Sequence, residues 1–106
     1  MVIKASSGET VDRLLSDLAS GEETRRDAAV ARLTIIGPRA AQRVLTLAAN
    51  PAATTEARVA AFRVLDAMGE ARALDIALVA IGDPSPAIAA SATGVARAFL
   101  HSERGL

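Results

Sequence analysis

The chain has no cysteine, no tryptophan and no tyrosine, and its only aromatic side chains are Phe62 and Phe99. Without cysteine there are no disulfides, thiolate metal sites or cysteine nucleophiles. With so few aromatics, a core must be assembled from alanine, leucine, valine and isoleucine, and such small side chains let helices pack near the close end of the roughly 8–10 Å range. Net charge is absent as well. The 12 basic residues balance 12 acidic ones, which argues against the basic footprint that a nucleic-acid or acidic-membrane partner needs. No apolar run approaches the roughly 18 residues of a membrane span. Met1 to Gly8 lacks the apolar stretch of a secretory signal, so a cytoplasmic location is expected. Eleven of the 12 basic residues are arginine and about a quarter of the chain is alanine, a bias that fits a GC-rich bacterial genome.

What is present is helical periodicity with clear punctuation. At 106 residues there is room for one domain with one modest core. Val11, Leu14, Leu15 and Leu18 follow the i, i+3, i+4, i+7 rule, with Thr10 as the expected cap and Gly21 as the stop. A second helix begins near Glu22 to Thr24, carries Ala29, Val30, Leu33 and Ile36, and ends at Gly37. Pro38 opens a third, Pro38 to Ala49, with Ala41, Val44, Leu45 and Ala48 inward. Asn50-Pro51 breaks the chain. Thr54 or Thr55 caps a fourth helix with Ala61, Phe62, Leu65 and Met68 on one side, ending at Gly69. A fifth is expected from about Glu70 to Ile81, the loop Gly82-Asp83-Pro84-Ser85-Pro86 follows, and a sixth runs from about Pro86 to His101, burying Ile88, Ala92, Val95, Ala96 and Phe99. Met1 to Lys4 is the only faint strand candidate.

The chain also repeats itself. Arg26-Asp27-Ala28-Ala29 with Leu33 and Gly37 returns 32 residues later as Arg58-Val59-Ala60-Ala61 with Leu65 and Gly69. Alanine pairs recur cheaply in an alanine-rich chain, so the arginine, leucine and glycine matches and the shared helix punctuation carry the argument. A weaker third copy maps Ala61, Val64 and Met68 onto Ala92, Val95 and Phe99, and Asn50-Pro51 onto Asp83-Pro84. A period of this size marks stacked helical hairpins, none of which can bury its apolar face alone. The pattern resembles HEAT repeats, most closely the short bacterial kind called PBS-lyase HEAT-like repeats, over roughly residues 10–101. It departs from that pattern at Ala89, where the third arginine should stand, and the Asp-Pro turn is complete only at Asp83-Pro84.

The resemblance implies an all-α, right-handed short solenoid of about six antiparallel helices in three hairpins, flanked by tails at 1–9 and 102–106. It also implies that Arg26 and Arg58 tie neighbouring repeats together by pairing with the turn acid. Such chains serve more often as adaptor or regulatory modules that bind a protein than as catalysts. An accessory subunit of a bilin lyase or related enzyme is an alternative resting on the resemblance alone.

Chemistry-bearing residues are sparse. His101 is the only histidine and has no second ligand for a metal, carboxylates are scattered singly along helix faces apart from Glu22-Glu23, and no phosphate loop precedes a Lys-Ser or Lys-Thr pair. Neither catalytic residues nor a cofactor is expected. Arg13, Arg39 and Arg43 are interleaved with Asp12, Asp17 and Asp75 and no surface aromatic is available for stacking, so nucleic-acid binding is disfavoured. The first, third and fifth helices offer a polar strip for a protein partner at Asp12, Arg13, Ser16, Asp17, Gln42, Arg43, Thr46 and Asp75. In the sixth, Ala90, Thr93, Gly94 and Arg97 form a nearly uncharged outer face. A terminal repeat ordinarily presents a polar one, so self-association as a two-fold dimer is the economical expectation.

Overall fold

The computed structural model describes the backbone of residues 7–104 and the side chains of residues 10–101. Met1 to Lys4, the faint strand candidate, lies outside the described residues. Six helices occur among those described: α1 (Ser7–Leu18), α2 (Glu23–Ile36), α3 (Pro38–Ala49), α4 (Thr55–Met68), α5 (Ala73–Ala80) and α6 (Pro86–Arg104).

Their ends follow from local chemistry. Gly37, at φ 71° and ψ −135°, donates its N–H to the Leu33 carbonyl and passes the chain into Pro38, the first residue of α3. Gly69 closes α4 in the left-handed conformation, φ 68° and ψ 34°, which costs glycine nothing. Thr54 caps α4, its Oγ1 accepting from the Ala57 N–H at 3.1 Å. Asn50 and Asp83 build matching turns: each Oδ1 accepts an N–H two residues on, from Ala52 and from Ser85, at 2.9 Å.

Three boundaries differ from the sequence expectation. The first helix starts at Ser7, before Thr10. The last continues past His101 to Arg104, because no breaker occurs before Gly105. The fifth is shorter than Glu70 to Ile81. There Glu70 bonds its own turn, its Oε2 accepting the Arg72 N–H at 3.0 Å and its carbonyl accepting the Ala73 N–H at 3.0 Å, so the backbone finds a partner without entering a helix.

Sequential helices pack in the pairs α1 with α2, α3 with α4, and α5 with α6, while α4 also packs against α2 and α6, and α3 against α5. Helix α4 touches each of the other five. Its burial explains this: Ala57, Arg58, Ala60, Ala61, Phe62, Val64 and Leu65 are all buried, an apolar face wider than the usual amphipathic stripe. The single core runs from Val11, Leu14 and Leu18 through Leu33, Val44 and Phe62 to Ile88 and Val95, with Leu15, Ile36, Met68 and Phe99 partly buried against it. Helix α5 inverts the usual order of size. Ala73, Ala77 and Ala80 face inward while Leu78 and Val79 are exposed, because alanine lets α5 lie close to α3 and α6.

Candidate interaction face

The feature that organises the α3–α5 face is a buried arginine. Arg58 is 7% exposed. Its Nε donates to the Ala48 carbonyl at the end of α3 at 2.9 Å, and its Nη1 donates to Asp83 Oδ2 at 3.0 Å. One side chain thus joins α3, α4 and the turn between α5 and α6. Arg26, its counterpart in the sequence repeat, instead reaches back to the segment between α1 and α2, donating from Nη1 to the Ser20 carbonyl at 2.7 Å. Arg58 meets the turn acid Asp83, whereas Arg26 pairs with no turn acid among the described residues, and the turn before Asp83's in the repeat carries the neutral Asn50.

Asp83 is held below the ordinary carboxylate range, chiefly by the hydrogen bond from the Ser85 N–H, with partial burial opposing and the Arg58 hydrogen bond and charge reinforcing. Because the folded-state value is depressed, the unfolded chain takes up the proton first. The stabilisation is therefore complete above about pH 4 and is lost as pH falls through the folded value. Urea midpoints measured from pH 7 downward should fall on the acid side, and Asp83→Asn should flatten part of that fall while starting lower at pH 7. An unchanged acid slope in Asp83→Asn would contradict this reading.

Around this floor opens a cleft of about 500 Å³, lined by Ala49, Pro51, Arg58, Asp75, Ile76, Val79, Ala80 and Asp83. Its walls are mainly apolar. A second groove of about 420 Å³, lined by Gln42, Leu45, Thr46, Ala49, Asn50 and Ile76, adjoins it through Ala49 and Ile76. Val79, 81% exposed, stands at the first cleft.

The structure gathers part of the polar strip here. Asp75 lines the first cleft, and Gln42 and Thr46 line the second, where Thr46 Oγ1 donates to the Gln42 carbonyl at 3.0 Å and Arg72 Nη1 donates to Gln42 Oε1 at 3.3 Å. Asp12 pairs with Arg43, joining α1 to α3. Arg13 and Ser16 are exposed and Asp17 is partly buried; none of the three lines either cleft. The α6 face divides. Thr93 and Arg97 share a groove of about 380 Å³ with Leu78, Ile81, Ala96, Leu100 and His101. Gly94 instead lines the α4–α6 groove beside Phe62, Arg63 and Asp66, and Ala90 is exposed.

Sequence reasoning did not assemble the cleft. Val79 and Ile76 sit in a helix whose only non-apolar residue is Asp75, so no stripe marks which of them face solvent. The available signal was the pairing of the repeated arginine with Asp83. No group of three or more His, Cys, Asp or Glu able to hold a metal occurs among the described residues, and no helix described is long and apolar enough to cross a membrane. No protein-family model matches this chain, and neither a curated protein nor a solved structure matches it significantly.

Proposed function

We propose that the chain is a non-catalytic, HEAT-like interaction module that binds a protein partner through the α3–α5 face. The solenoid reading is supported by the repeat and by the order of packing: sequential pairs, with α2, α4 and α6 adjoining in series and α3 beside α5. The binding reading rests on one observation, the exposed Val79 beside an open, mostly apolar cleft whose floor is fixed by Arg58 and Asp83. An apolar cleft with a few fixed polar groups is the usual form of a binding site, and a floor tied at three points requires little reorganisation on binding.

The test is selection of seven-residue peptides displayed on phage against the full chain. Peptides that survive should lose about tenfold in affinity to Val79→Asp, as expected for forfeiting a buried valine contact. Ile35→Asp, at a similarly exposed position near the end of α2, should leave them unaffected. Failure to select any binder, or binders indifferent to Val79→Asp, would overturn the proposal.

A further inference from the structure

The charges lining the first cleft do not cancel. Arg58 and Asp83 neutralise one another at 3.0 Å. Asp75 is exposed, and its carboxylate makes no ion pair or hydrogen bond among the described residues. The nearest cation in sequence, Arg72, is committed to Glu70 through Nε–Oε2 at 3.0 Å and Nη2–Oε1 at 3.2 Å. The cleft therefore carries one uncompensated negative charge at Asp75, beside the apolar wall of Ile76, Val79 and Ala80. At its floor Arg58 uses Nε and Nη1 and leaves Nη2 without an acceptor among the described residues. That nitrogen is not sealed from solvent, since no buried side-chain nitrogen or oxygen lacks a partner.

We infer that the cleft takes an extended peptide segment in which an apolar side chain is adjacent to a lysine or arginine. The apolar side chain lies against Ile76, Val79 and Ala80, the cation meets Asp75, and a peptide carbonyl accepts from Arg58 Nη2. Each group supplies what the cleft lacks: apolar cover, a positive charge and a hydrogen-bond acceptor. An acidic segment would bring a like charge to Asp75, and a fully apolar one would leave that carboxylate partly desolvated and unpaired. The inference rests on the peptide-binding reading above and adds the sign of the partner's charge.

Three fluorescent seven-residue peptides, acetylated, amidated and identical except for a central Leu-Lys, Leu-Glu or Ser-Lys, separate the two claims when titrated with the full chain and with Asp75→Asn. Leu-Lys should bind about fivefold more tightly than Leu-Glu, the scale of a rim ion pair, and this preference should shrink at high salt. Ser-Lys should bind about tenfold more weakly than Leu-Lys. Asp75→Asn, at an exposed position, should erase the preference for Lys over Glu while retaining the preference for Leu over Ser. If Leu-Glu matches Leu-Lys, or the charge preference survives in Asp75→Asn, the charge inference is overturned and the apolar cleft stands. If no peptide binds, both are overturned.

Discussion

Arg58→Ala is expected to lower the stability of the fold by about 3 kcal/mol, seen as a fall in urea midpoint with little change in slope. The loss has two sources. The Ala48 carbonyl loses its donor from Nε, and Asp83 keeps a partly buried carboxylate with no cation beside it. Removing one partner of such a pair costs more than the pair contributes, because the survivor's desolvation is no longer offset. The figure sits at the low end of the usual range because Asp83 retains the Ser85 N–H and some access to water. Arg58→Lys should recover little, since an ammonium lacks the planar fork that reaches a carbonyl and a carboxylate at once. In a double-mutant cycle with Asp83→Asn, a coupling of about 1–3 kcal/mol is expected, and additivity would show that the two residues act separately.

Phe62→Ala should cost about 3–5 kcal/mol. Phe62 is 1% exposed on the helix that touches all the others, and it is the largest fully buried side chain described. Half of the buried apolar side chains described are alanines, which have few atoms to relax into the space Phe62 leaves. For a domain of this size the thermal midpoint should drop by roughly 15–30 °C, a large part of the about 5–15 kcal/mol that holds such a domain together. Phe62→Leu, which keeps most of the volume, should cost about 1 kcal/mol. Near-native melting of Phe62→Ala would mean that the core collapses onto α4 far more readily than its alanine lining suggests.

The helices were legible because their punctuation is chemical. Gly37-Pro38, Asn50-Pro51, Thr54 and Gly69 each end or begin a helix where the sequence places the residue, and α3 spans the expected Pro38 to Ala49. The breadth of α4 was not legible. A stripe of Ala61, Phe62, Leu65 and Met68 captures one side, but burial of Ala57, Ala60 and Val64 depends on which helices arrive from elsewhere. The same limit hid the cleft. Arg58, Asp75 and Val79 lie far apart in the chain or in an unpatterned helix, and the packing of α5 against α3 and α4 brings them to one opening. Repetition was informative even in its failures. Asn50 stands where a second aspartate would complete the pattern, and Arg26 donates to the Ser20 carbonyl between α1 and α2 rather than to a turn acid.

Alanines supply half of the buried apolar side chains among the described residues, Ala41, Ala61, Ala73, Ala77 and Ala92 among them with no exposure at all. Alanine surrenders no side-chain rotamers on folding, so this core is assembled at low entropic cost. It also sets the direction in which the molecule tolerates change. Trimming is nearly impossible at such positions, since only glycine is smaller. Enlargement to valine or leucine would push closely spaced helices apart or force strained rotamers. The sequence can therefore drift most readily on its surface, while its alanines act as spacers whose size sets the distance between helices.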